Sequence, residues 1–171
     1  KITRLKDINT EEVDTLIIVD TKQRSRLGPL AGLLENRKLT IHIYDHHPFE
    51  KDDIRGTVEK IEKIGATATL FVELLKNKKL PLSPMEATIL ALGIYEETGS
   101  LLFPSTTERD LLAVSYLLRS GANLNVVSSY IRIELNVEEL DLLNELVKSS
   151  DEIILRGIRI VIARAVRDAY I

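Results

Sequence analysis

With 171 residues the chain can bury one substantial core, so one domain plus a partial second is the natural organisation. Hydrophobic residues at 44% and charged residues at 29% describe a globular protein and exclude a disordered one, while a formal net charge of -3 excludes an overall basic field for nucleic acid. The absence of cysteine rules out a disulfide framework and any thiolate metal site, and no apolar run or signal-peptide pattern marks a membrane span or an export leader, so a cytoplasmic protein is expected.

The segment up to Asp14 is polar and without periodicity. Leu16–Val19 is a short apolar, β-branched run of the kind a parallel sheet buries, and it ends in Asp20. Leu27, Leu30, Leu33 and Leu34 then recur at helical spacing over Arg26–Asn36, and Lys38–Tyr44 reads as a second strand. That strand–helix–strand order calls for a right-handed crossover and a parallel sheet. Val58–Ile61 suits a short edge strand and Ala66–Lys76 a helix. Ser83-Pro84-Met85-Glu86 supplies an N-cap, a first-position proline and a capping-box glutamate for a helix with the stripe Met85, Ile89 and Leu92. Ser105–Glu108 caps a further helix, whose face is expected to carry Leu111, Leu112 and Leu118 and which stops at Gly121. Asn123–Ile133 and Val137–Lys148 follow as helices. Glu152–Leu155 and Ile158–Ala165, joined by Arg156-Gly157, then read as a hairpin that opens a second domain.

The chemistry concentrates where apolar runs end. Asp45-His46-His47 directly follows Thr40–Tyr44, and in open α/β sheets ligands bind at the carboxyl ends of strands. Carboxylate with imidazole suits divalent transition metals, Mn²⁺ and Zn²⁺ alike. Glu96-Glu97 closes the Ser83-capped helix, where the negative end of the helix dipole disfavours carboxylates unless a cation compensates. The plainer readings stand beside these: Asp20 as a turn former, Glu97 as a solvated residue, His42 as a packed histidine, and Lys76–Lys79 as a solvated helix end. The helix start at Ser105–Arg109 offers hydroxyls and backbone amides to an anion, with Arg109 adding charge; the alternative is a simple cap, with Arg109 paired to a nearby carboxylate.

Taken with the stretches IIVDT, YDHHP, GATATLFVELL and GIYEETGSLLFPSTTERDLLAVSYLLRSGANLNVV, the chain resembles the DHH phosphoesterase superfamily over roughly Leu16–Val127. Its final stretch is most similar to the DHH domain that precedes CBS domains and a tRNA nucleotidyltransferase or poly(A) polymerase module in larger bacterial proteins. The resemblance implies a two-metal site in which Asp20, His46 and Glu97 are ligands. It further implies that Asp45 orients His46 from behind and that His47 contacts the scissile phosphate. Asp45 and His47 are thus the expected catalytic residues, and Arg109 and Thr106 the substrate-binding ones. Two departures stand out. The family's first motif, a histidine with paired aspartates, has no counterpart between Lys1 and Thr15, and Glu97 stands where the family has aspartate.

The expectation is therefore an α/β fold, a mostly parallel sheet flanked by helices and lacking its first strand. It divides into an N-terminally truncated DHH-type domain over 1–121, a helical connector over 122–150 and the beginning of an incomplete second domain over 151–171. The expected function is Mn²⁺-dependent phosphoester hydrolysis, with Mg²⁺ as the other cation, on nucleotides or short RNA or DNA. This chain alone is expected to be inactive, linked to downstream domains in a larger protein and open to forming a homodimer. The alternative is a degenerate, non-catalytic DHH module serving RNA binding or assembly.

Overall fold

Thr15–Val19 forms strand β1, Thr40–Asp45 β2 and Val58–Ile61 β3, all parallel and in the order β1-β2-β3. The description comes from a computed structural model covering residues 4, 7–131 and 135–166, in two compact units, Lys1–Ile131 and Arg132–Ile171. Central β2 is the best covered strand, and Ile43 is fully buried with Ile18 and Ile54 around it. Register matters more than composition here. Val19 faces Tyr44 and Asp45 faces Ile61, so β1 and β2 finish side by side, with the Asp20 N–H donating to the Tyr44 carbonyl at 2.9 Å.

The connection from β1 to β2 departs from the expected α-helix. Arg24–Glu35 is 3-10 helical and breaks at Gly28, whose φ of 52° is left-handed, immediately before Pro29. Glycine tolerates that φ and proline lacks the N–H a continuing helix needs, so the leucine spacing builds two short turns instead. Leu27, Leu33 and Leu34 still turn inward.

Four helices make the rest of the first unit: α1 (Thr67–Asn77), α2 (Pro84–Glu97), α3 (Glu108–Arg119) and α4 (Leu124–Ile131). The last begins one residue after the expected start at Asn123, and the final residues of the expected helix, Arg132 and Ile133, lie outside the described ones. Helix α2 packs against α1, α3 and α4. Its buried face is Ala87, Ala91 and Ile94 and not the expected Met85, Ile89 and Leu92; Met85 and Ile89 are exposed. Small alanines admit neighbouring backbones closely, so on a helix apolar nearly all round the larger side chains are displaced outward. The same inversion holds in α3. Asp110, Ala113, Val114 and Leu117, at i, i+3, i+4 and i+7, face inward, whereas Leu111, Leu112 and Leu118 are exposed. A charged residue heading the buried stripe disguises it in the sequence.

The cap of α3 also moves. Thr107 is the N-cap, rather than Ser105 or Thr106, and Asp110 Oδ2 accepts from the Thr107 backbone N–H at 2.7 Å and hydroxyl at 2.6 Å. The same fully buried carboxylate accepts from the Gly65 N–H at 2.9 Å and the Thr69 hydroxyl at 2.6 Å. Burial would raise the Asp110 pKa, but these donors, the Thr107 and Thr69 hydroxyls foremost, hold it below the ordinary carboxylate value.

A second buried charge ties the loop after β2. Lys22 is only 2% exposed, and its ammonium donates to Asp45 Oδ2 at 2.9 Å and to the His47 carbonyl at 2.7 Å, with Asp53 Oδ2 at 3.8 Å. The Lys22 carbonyl in turn accepts from the Ile54 N–H at 2.7 Å, joining the segment after β1 to the loop after β2.

The second unit holds α5 (Val137–Lys148), capped by Asn136 with Glu139, and the antiparallel hairpin β4 (Asp151–Leu155) and β5 (Ile158–Ile162). Arg156 and Gly157, at φ 51° and 81°, make its turn, and β5 ends short of the expected Ala165. Leu140, Leu143, Ile154 and Ile158 are exposed there.

Gly65→Ala is expected to destabilise the first unit by about 1–3 kcal/mol through overpacking, because the added Cβ would meet Asp110 Oδ2 at 2.7 Å and Thr98 Cγ2 at 2.8 Å. Thermal unfolding reads this directly. Breaking the buried Lys22–Asp45 pair with Lys22→Met is expected to cost about 3–5 kcal/mol at neutral pH, since Asp45 would be left charged and buried. Asp45 is held below its ordinary value of 3.8 although burial alone would raise it, because His47 and Lys22 hydrogen bonds outweigh that penalty. Its stability contribution is therefore complete above 3.8 and lost as pH falls through the lower folded value. The gap in melting temperature between wild type and Lys22→Met should accordingly be widest at neutral pH and narrow in acid.

Candidate metal centre

Asp20, the first residue past β1, has a φ of 61°, a left-handed conformation that aspartate tolerates better than most residues. One carboxylate oxygen, Oδ1, accepts from the buried Thr67 hydroxyl at 2.7 Å. His46, the first residue past β2, lies almost buried beside it. Its Nδ1 is 3.1 Å from the Ile64 carbonyl, which can only accept, so Nδ1 carries a proton and donates there. The His46 Nε2 is 3.6 Å from Asp20 Oδ1 and 3.5 Å from Glu97 Oε1, and it is buried without a hydrogen-bond partner among the described residues.

His47 is built by the same logic from a different acceptor. Its Nδ1 lies 2.7 Å from Asp45 Oδ1, fixing the proton there and turning Nε2 away from the carboxylate. The two imidazoles meet edge to face with ring centroids 4.4 Å apart. Asp20, His46 and His47 can each present a ligand atom such that all lie within 4.8 Å of one another.

The structure thus brings Asp20, His46, His47 and Glu97 to one point at the carboxyl edge of the sheet. It corrects one expected relation. The side chain of Asp45 holds the ring of His47, and it meets His46 only through the backbone N–H, at 2.8 Å. The ring of His46 is oriented by the Ile64 carbonyl instead, because the turn after β3 reaches it from the other side. Lys22, Thr67 and that carbonyl escaped the sequence reading. Lys22 and Thr67 sit in the quoted family stretches or beside them, but a carbonyl has no letter in the sequence, and a lysine near a surface turn gives no sign of burial.

Arg109 lies in the carboxylate-pairing arrangement. Its Nε and Nη2 grip Glu73 at 2.8 and 2.6 Å and its Nη1 reaches Glu62 at 2.9 Å; these bonds raise its pKa and lower that of Glu73. Thr106 has a buried hydroxyl without a partner among the described residues. His42 is half-buried within β2, and no helix among the described residues is long and apolar enough to cross a membrane.

Two clefts flank the centre. One, of about 170 Å³, is lined by Asp20, Lys22, Gln23, Arg26, His47 and Glu50 among others. The other, of about 280 Å³, runs from Val19 and Asp20 past Phe71 and Leu90 to Glu97.

No family model matches the chain. An A-adding tRNA nucleotidyltransferase of Geobacter sulfurreducens is 40% identical over 169 residues, 99% of this chain but only 19% of that protein's length. A bifunctional oligoribonuclease and PAP phosphatase of Mycoplasma pneumoniae is 35% identical over 63% of the chain, which spans 33% of that protein. A relative in Deinococcus radiodurans described as a "probable manganese-dependent inorganic pyrophosphatase" is 26% identical over 66% of the chain and 35% of its own length. Among solved structures, an exopolyphosphatase-related protein of Bacteroides fragilis shares the fold, with a TM-score of 0.69 at 17% identity over 83% of this chain and 42% of that one. The α/β architecture, the Asp-His-His strand end and these relatives together place the chain in the DHH superfamily, as a region homologous over most of its length to part of the A-adding tRNA nucleotidyltransferases.

Proposed function

We propose that this region is a metal-dependent phosphoesterase domain that acts on nucleotides or short oligonucleotides as part of a larger tRNA nucleotidyltransferase-like protein in the cytoplasm. The observation that carries the reading is the buried, unpartnered Nε2 of His46 between two carboxylates. A buried ring nitrogen that has no hydrogen-bond partner and lies beside two carboxylates is unsatisfied as it stands and would be satisfied around a cation. Imidazole with carboxylates suits Mn²⁺, with Mg²⁺ as the harder alternative. The relative described as manganese-dependent supports the first choice.

His46, Asp20 and Glu97 are the residues that would hold the ion, and His47 would stand at its edge. A bound divalent cation there would supply Lewis-acid stabilisation of phosphoryl oxygens and a water of lowered pKa. The protein's own residues do the rest. Ile64 and Thr67 fix the His46 ring and the Asp20 carboxylate before any ligand arrives. Asp45, neutralised by Lys22, holds the Nδ1 proton of His47, so that its Nε2 faces outward towards a phosphate. The Thr106 hydroxyl is buried and would have to be uncovered to meet substrate, and Arg109 would have to exchange a carboxylate for a phosphate to take part.

Calorimetric titration with Mn²⁺ checks the centre: saturable binding is expected in the wild type and loss of at least tenfold in affinity in His46→Ala and Asp20→Asn, which each delete a ligand. A wild type with no saturable Mn²⁺ binding would sink the metal reading. Hydrolysis of short oligoribonucleotides and of adenosine bisphosphate by the full-length protein, abolished by His47→Ala, is the expected activity. Metal binding and RNA binding without hydrolysis would instead identify a non-catalytic module.

A further inference from the structure

Residues Ile64–Thr69, which lead from β3 into the first turn of α1, touch His46 and Asp20 and pack on the neighbour of Glu97. The Ile64 carbonyl orients the ring of His46 at 3.1 Å. The hydroxyl of Thr67, itself buried, donates to Asp20 at 2.7 Å. The Gly65 Cα packs so closely on Thr98, the residue that follows Glu97 and caps α2, that a Cβ would stand 2.8 Å from the Thr98 methyl. One segment therefore holds the imidazole and the strand-end carboxylate directly and packs on the residue that follows the helix-end carboxylate.

That turn is itself held from behind. Asp110, on the buried face of α3 and fully enclosed, accepts from the Gly65 N–H with Oδ2 at 2.9 Å and from the Thr69 hydroxyl with Oδ1 at 2.6 Å, one bond near each end of the turn. Its remaining acceptor capacity goes to Thr107 at the start of its own helix. A carboxylate is the one side chain of this size with acceptors alone on both oxygens, and all four donors point at it. The amide of an asparagine would turn two N–H donors towards at least one of these groups.

We propose that Asp110 is the positioning residue of the metal centre, acting through the Ile64–Thr69 turn on His46, Asp20 and Glu97 together. The inference rests on the reading of these three as metal ligands, yet its geometric half can be examined without metal. In Asp110→Asn, Mn²⁺ affinity should fall about ten- to a hundredfold, the range for groups that orient metal ligands from behind. In the same metal-free variant, the ¹⁵N resonances of the His46 ring should show mixed tautomers where the wild type shows the proton on Nδ1 alone. Thr107→Ala separates positioning from stability. It removes the α3 cap and one donor to Asp110 but leaves the Gly65 and Thr69 bonds, so it should lower the melting temperature and leave both Mn²⁺ affinity and the His46 tautomer as in wild type. Should Asp110→Asn fail to fold, Thr69→Val removes only one donor at nearly constant volume and should move both readouts the same way, to a smaller extent.

Wild-type affinity and a single His46 tautomer in Asp110→Asn, or in Thr69→Val if only that folds, would overturn the proposal. So would a Thr107→Ala variant that loses as much affinity as Asp110→Asn. A wild type that binds no Mn²⁺ would refute the metal reading alone, because the tautomer measurement would still decide what Asp110 does to the turn.

Discussion

Everything at the centre depends on the parallel pairing of β1 with β2 in one register. Because Val19 stands opposite Tyr44, the chain leaves both strands at the same level, and Asp20 and the Asp45–His47 group emerge as neighbours. A slip of one residue would turn Ile18 and Ile43 out of the core and separate the carboxylate from the imidazole. The burial of two isoleucines thus fixes the geometry of the polar groups that follow them. Stability and site geometry are the same constraint seen from the two sides of a strand end.

Around that edge the side chains are held by acceptors. Each imidazole gives its Nδ1 proton to a fixed oxygen, Ile64 for His46 and Asp45 for His47, so each keeps an Nε2 of defined character. Asp20 takes a hydroxyl hydrogen bond on one oxygen. Such supports are what keep a small set of ligands in place when the surrounding loops are exposed.

How much of this the sequence disclosed follows from what leaves a mark in it. The strands, the α2 cap at Ser83 and the acidic and histidine residues at the strand ends are local patterns, and local patterns are legible. Where several apolar faces competed, the larger side chains misled: α2 buries alanines and α3 buries a stripe headed by an aspartate, because close helix packing favours small residues and a buried charge with four donors is tolerable. The leucine spacing over Arg26–Asn36 suggested one helix, and the Gly28-Pro29 pair within it breaks the segment into short turns. The supports of the site were least legible of all. Asp110 is 45 residues from Gly65, a contact that only tertiary packing creates.

The buried pairing of Lys22 with Asp45 gives the two halves of the centre opposite electrical characters. On the Asp45 side the negative charge is matched by an ammonium within the protein, a counter-ion that is covalently tethered and cannot be diluted, chelated or exchanged. On the Asp20–Glu97 side two carboxylates lie 3.6 and 3.5 Å from the His46 Nε2, and no lysine or arginine pairs with either among the described residues. His47 is accordingly set in place by a charge that the protein itself carries, whereas the Asp20 and Glu97 carboxylates have no such internal match among the described residues.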